Sequence, residues 1–270
     1  MSPSNRKTPF HFIPLPRSRS TRKPRANGRT MIVDDGLPLG VTKDLMATGG
    51  AYVDLAKIKT GTARFYPRDV LVAKLKVYKK HRVQPFLGGQ FHEYVFATQG
   101  EKALPAYYRE ALALGFEAIE ISDNTVPLTD AQRVRQIRAA VASGLIVYGE
   151  VGSKETLSNP GLLVKQAELC FKAGSALVLV EAAELVDKGR LKKKTIDLLR
   201  RNLDMSRVMI ELPGPWISDV RSCDIEDMKK ALVNAIGPDV NIANVPPASI
   251  IDTEATRTGL GTAGLLKAWT

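Results

Sequence analysis

Residues Ala118–Glu150 read AIEISDNTVPLTDAQRVRQIRAAVASGLIVYGE, and this stretch decides the fold. A short apolar run, Ala118–Ser122, gives way to Thr129–Ser143, where apolar residues recur at i, i+3 and i+4. Gly144 then precedes a second apolar run, Ile146–Val151. Strand, helix and strand in that order make a βα unit, and the glycine supplies a left-handed cap that stops the helix before the next strand. Both strands carry an acid near their C-terminal ends, Glu120 and Glu150.

The unit repeats outward in both directions. Further strands are expected near Thr30–Asp34, Tyr52–Ile58, Val83–Leu87, Ala176–Glu181, Val208–Glu211 and Val240–Asn244, eight in all. Helical spacing covers Thr42–Thr48, Arg68–His81, Leu104–Leu114, Asn159–Ala173, Thr195–Leu203, Ile225–Ile236 and Pro247–Thr258. Gly115 and Gly174 take the capping place that Gly144 takes above. Eight units in a 270-residue chain predict a closed (β/α)8 TIM barrel, a single α/β domain over residues 30–261. A doubly wound open sheet is the competitor, but no Gly-x-Gly-x-x-Gly follows the first strand to support it.

Five of these strands close on an acid: Asp34, Glu120, Glu150, Glu181 and Glu211. The C-terminal ends of barrel strands surround one mouth, so the five are expected to meet across a pocket. Like charges gathered in a cleft persist where a divalent cation or basic side chains neutralise them. A metal with lysines beside it is therefore expected, although any one acid taken singly has a plainer role capping the next helix.

The formal charge of +11 suggests a nucleic-acid partner until it is located. Arg6, Lys7, Arg17, Arg19, Arg22, Lys23, Arg25 and Arg29 lie in the first 30 residues, which contain no acid, and the rest of the chain holds 31 basic against 28 acidic residues. The excess belongs to a basic N-terminal arm, residues 1–29, whose first dozen residues are expected to be disordered; residues 262–270 form a C-terminal tail. Pro3, Pro9, Pro14, Pro16 and Pro24 oppose the amphipathic helix of a transit peptide, so cytoplasm is the expected location. No apolar run reaches the roughly 20 residues a membrane helix needs. Cys170 and Cys223 are far apart and suggest neither a zinc knuckle nor a disulfide framework. No nucleic-acid or membrane partner is expected.

Several strand ends are more than carboxylates. Lys23-Pro24-Arg25 with Gly28 and Thr30-Met31, Tyr52-Val-Asp54 leading to Lys57, Gly88-Gly89, Glu120-Ile-Ser-Asp123, Glu150-Val-Gly152, Glu211-Leu-Pro213 and Val240-Asn241-Ile-Ala-Asn244-Val-Pro246-Pro247 together resemble the phosphosulfolactate synthase family, from about residue 14 to 261. The chain departs from that pattern at Asp35, Lys59, Ser153 and Ala243. The resemblance implies a TIM-barrel lyase that adds sulfite to phosphoenolpyruvate with magnesium, giving 2-phospho-3-sulfolactate for coenzyme M biosynthesis, and a homo-oligomer is the expected assembly. The same superfamily holds heat-stress proteins, so a diverged barrel with a stress-related or non-catalytic role is the alternative, together with a lysine Schiff-base aldolase using Lys57 or Lys154.

For that chemistry Glu120, Glu150 and Glu181 are the expected metal ligands, with Glu211 hydrogen-bonding beside them and binding substrate. Pairing of these acids with Lys57 or Lys59 is the competing role. Lys154, just past the fifth strand, is the expected proton donor, and Lys57 the second catalytic lysine. Lys57, Lys59 and Arg25 are expected to hold the phosphate and sulfite, with Asn244 after the eighth strand near the phosphate. His92, in Gln90-Phe-His-Glu93, reads as polar loop surface, Tyr107 and Tyr108 as packing, and Trp216 as a lid or rim aromatic.

Overall fold

The inner layer is built from eight short parallel strands: β1 (Thr30–Asp34), β2 (Leu55–Ile58), β3 (Gln84–Leu87), β4 (Ala118–Ile121), β5 (Ile146–Val151), β6 (Leu177–Val180), β7 (Val208–Glu211) and β8 (Ile242–Val245). Each pairs with its neighbours in chain order, and β8 closes on β1, so the sheet is a complete barrel without free edges. The computed structural model describes residues 8–17, 19, 22–152, 159–181, 184–187, 190–214 and 220–260. Among these are nine helices: α1 (Leu39–Gly49), α2 (Arg68–Lys80), α3 (Gly89–Gln99), α4 (Leu104–Leu114), α5 (Asp130–Ala142), α6 (Pro160–Ala173), α7 (Lys193–Asn202), α8 (Ser222–Ile236) and α9 (Ile250–Thr258). A two-stranded antiparallel pair, Val186–Asp187 with Arg190–Leu191, sits between β6 and α7. None of the described helices is long and apolar enough to cross a membrane.

Strand residues alternate between two separate cores, as a period of two requires. Met31, Leu55, Phe86, Ala118, Tyr148, Leu177, Leu179, Met209 and Ala243 fill the barrel interior. Their neighbours along the same strands, among them Ile32, Ala56, Ile119, Val147, Val178 and Ile210, pack outward against the helices in a larger cluster. Both layers are almost wholly buried, and each aliphatic side chain so placed contributes about 1.5–3 kcal/mol. Gly115 and Gly174 close α4 and α6 with φ of 98° and 119°, a backbone state that costs glycine little.

The helix α3 is absent from the expected pattern. It buries Gly89, His92, Glu93 and Val95 while Tyr94 stands 62% exposed, so its buried face is partly polar and shows no apolar period. His92 is accordingly not loop surface: it is 1% exposed, and its Nε2 lies 3.0 Å from the Tyr108 hydroxyl with the two rings stacked.

The basic arm runs across the N-terminal end of the barrel. The Arg17 backbone amide donates to the Thr258 carbonyl, Arg19 pairs with Glu254 at 2.9 Å, and Lys23 donates to the carbonyls of Gly50 and His81. Arg257 from α9 completes this floor, fully buried, donating to the carbonyls of Val240, Pro238 and Arg29. Much of the arm's charge thus satisfies backbone carbonyls and buried acids of the same chain.

Candidate active site

Lys57, Glu120, Glu150, Glu181 and Glu211 each stand two residues beyond a member of the interior layer: Leu55, Ala118, Tyr148, Leu179 and Met209 respectively. That step of two turns all five toward the same space at the C-terminal end of the barrel. Asp34 stands two residues beyond Ile32, which packs outward, and so it points the other way. Its carboxylate is buried against α2, 2.6 Å from Lys74 Nζ and 2.6 Å from the Tyr78 hydroxyl. Four of the five expected acids therefore face the interior, and the fifth anchors a helix.

Lys57 occupies the middle of the group. Its Nζ lies 2.8 Å from Glu120 Oε2, 3.0 Å from Glu211 Oε1 and 3.9 Å from Glu150 Oε2. The three glutamates, all buried, bring one oxygen each within 4.8 Å of one another. Burial opposes the charge on Lys57, but the surrounding carboxylates outweigh it and hold its pKa well above the ordinary lysine value. Burial pushes the Glu120 carboxyl well above the usual carboxylate range, against the pull of Lys57 and with Glu150 and Glu211 adding to the rise. Among the described residues a single ammonium faces these three carboxylates.

The surrounding backbone is fitted to these acids. Gly89 opens α3, and its amide donates to Glu120 Oε1 at 3.0 Å, putting the carboxylate at a helix N-terminus. A β-carbon on Gly89 would lie 2.1 Å from Ser122 Oγ and 2.9 Å from Glu120 Oε1, which accounts for the second glycine of Gly88-Gly89. Glu150 Oε1 accepts from the Asn124 amide at 2.6 Å, and the Glu150 carbonyl accepts from the buried Arg133 at 2.8 Å. Arg133 is also paired with Asp123. Glu93 of α3 receives the hydroxyls of Ser122 and Thr125 and the amides of Asn124, Thr125 and Val126, so one carboxylate gathers the loop after β4. The sequence reading missed Asn124, Arg133 and Glu93; only the string around Glu120-Ile-Ser-Asp123 pointed to this loop.

The remaining expected residues are dispersed. Glu181 is buried just beyond β6, against the end of β5, where a β-carbon on Gly152 would come within 3.1 Å of its Cβ. It is not one of the three acids whose oxygens gather, and Glu211 stands there instead. Lys59 follows β2 at the mouth, half-buried, with its amide bonded to the Asp34 carbonyl. Asn244, in β8, has a left-handed backbone, φ 57°, and its amide reaches toward the Leu212 carbonyl at 3.5 Å. Arg25 is not at this mouth. It lies at the opposite end, 5% exposed, 2.8 Å from Asp54, whose other oxygen accepts from the amide of Thr30 at the start of β1. Lys154, Ser153 and Trp216 fall outside the described residues.

The three gathered donors are all carboxylate oxygens, the set that hard divalent cations prefer, and among the described residues they outnumber the one ammonium beside them. A divalent cation would relieve the repulsion among them, so Glu120, Glu150 and Glu211 fit such an ion.

Residues 18–262 match the family model described as (2R)-phospho-3-sulfolactate synthase (ComA). The phosphosulfolactate synthase of Methanothermobacter thermautotrophicus is 33% identical over 262 residues, covering 93% of this chain and 95% of the relative. That of Methanocaldococcus jannaschii is 30% identical, over 86% of this chain and 92% of its own length. Among solved structures, a truncated form of 3-deoxy-D-arabino-heptulosonate 7-phosphate synthase from Thermotoga maritima superposes with a TM-score of 0.52 at 14% identity, covering 86% of this chain and 80% of that one, a likeness of fold.

Proposed function

The chain belongs to the phosphosulfolactate synthase family, and we propose that it catalyses the addition of sulfite to phosphoenolpyruvate, giving 2-phospho-3-sulfolactate with magnesium as cofactor, as a step toward coenzyme M. The observation that carries this reading is the trio Glu120, Glu150 and Glu211 gathered around Lys57 at the strand ends. Sulfite attacks the methylene carbon of the enol phosphate through its sulfur lone pair, and the displaced π electrons move onto the substrate carboxylate. A divalent cation held by the three glutamates would supply the Lewis acid that stabilises this charge.

The chain's own groups do the rest. Lys57 balances the acids and offers a positive charge to incoming anions. Lys59 and Asn244, near the rim at β2 and β8, hold the anionic groups, the lysine acting as a point charge. The electron pair returns as a C–H bond at the phosphate-bearing carbon, with the proton taken from Lys154. A Schiff base at Lys57 needs a neutral amine, and Lys57 among three carboxylates is held charged, which argues against that lysine as the nucleophile.

A ³¹P NMR time course with phosphoenolpyruvate, sulfite and magnesium tests the proposal. A new phosphate-ester signal that needs all three components is expected; an unchanged spectrum with folded protein would overturn it and favour a diverged, non-catalytic barrel.

A further inference from the structure

The carboxylates that would hold a cation are themselves held by a second tier that no motif of the sequence announces. We infer that Glu93 and Asn124 are positioning residues for this site: Glu93 fixes the loop after β4, and the loop aims Asn124 at Glu150. The inference rests on the cation reading of Glu120, Glu150 and Glu211.

Glu93 is 2% exposed and points from α3 into the loop Ser122–Val126, where its two oxygens take three backbone amides and two hydroxyls. Five donors converging on one buried carboxylate leave the loop one conformation, since a rearranged loop would strand both the charge and the amides. In that conformation the Asn124 amide donates to Glu150 Oε1 at 2.6 Å. With Oε1 so engaged, Oε2 is the oxygen turned to Lys57, at 3.9 Å. Gly89, four residues before Glu93 on the same helix, holds Glu120 Oε1. The helix α3 therefore fixes two of the three gathered acids, one directly and one through the loop. Groups that orient a ligand carboxylate in this way typically change metal affinity by about 10–100-fold when removed.

Titration calorimetry with Mn²⁺ on the purified full chain tests this without relying on turnover. Asn124→Ala, at a half-exposed position, is expected to stay folded and to bind Mn²⁺ about 10–100-fold more weakly. Asn124→Ser, which retains a donor, is expected to recover part of the affinity. Glu93→Gln, which turns an amide toward donors, is expected to weaken Mn²⁺ binding in the same way and to lower the melting temperature. Asn124→Ala binding Mn²⁺ as tightly as wild type would overturn the positioning role and leave the cation site standing. Wild type that takes up no Mn²⁺, or takes it up equally well as Glu150→Gln, would overturn the cation reading and the inference with it.

Discussion

At Lys57 one ammonium meets three buried carboxylates, and removing it leaves these like charges facing one another without that partner. Lys57→Met is expected to destabilise the metal-free protein by on the order of 3–5 kcal/mol, because buried charges lose their partner. Added magnesium is expected to restore part of the lost melting temperature, a recovery that thermal melts with and without the ion would detect. A different balance holds at His92, whose pKa burial lowers to about 4, with Glu93 opposing. Between pH 6.5 and 4 the unfolded chain binds a proton at this histidine that the folded chain refuses, so stability falls as pH falls through that window. The loss reaches roughly 3 kcal/mol at most. His92→Gln is expected to flatten the pH dependence of the melting temperature there relative to wild type, and an unchanged slope would place a proton on His92 in the fold.

Among the elements, α3 braces the site most directly, and Gly89 is its tightest point. Gly89→Ala would press a methyl group on Ser122 and Glu120 and is expected to cost about 1–3 kcal/mol, with weaker Mn²⁺ binding in calorimetry. A comparable loss at exposed Gly40, where an added Cβ meets nothing within 4 Å, would contradict this account. The strands were legible in the sequence because their apolar runs and strand-end acids repeat at the βα spacing, and β1, β5 and β7 have the expected bounds. The same alternation distinguishes Asp34 from the inward acids, since Asp34 follows Ile32 at an outward position whereas Glu120 follows Ala118 at an inward one. The helix α3 was not legible, because a helix that buries His92 and Glu93 has no apolar stripe. Nor was the choice of Glu211 over Glu181 for the gathered trio: both sit one inward step above the interior layer, and only the barrel's three-dimensional closure separates them.

Across the whole molecule the two ends of the barrel divide stability from chemistry. The arm, Arg257 and the Arg25–Asp54 pair secure the N-terminal end, while acids and lysines collect at the C-terminal one. Charge count alone could not assign Arg25 to an end, since a basic arm before β1 can cross either. Arg25→Ala is expected to lower stability by about 3–5 kcal/mol by stranding Asp54, with the KM for phosphoenolpyruvate unchanged; a raised KM would put Arg25 on the substrate. At the opposite end Glu120, Glu150 and Glu211 together are proposed to form the cation site. Anomalous diffraction from crystals grown with Mn²⁺ measures this directly. One peak among those three carboxylates is expected, and a peak at Glu181 without Glu211, or none between the three, would contradict the assignment.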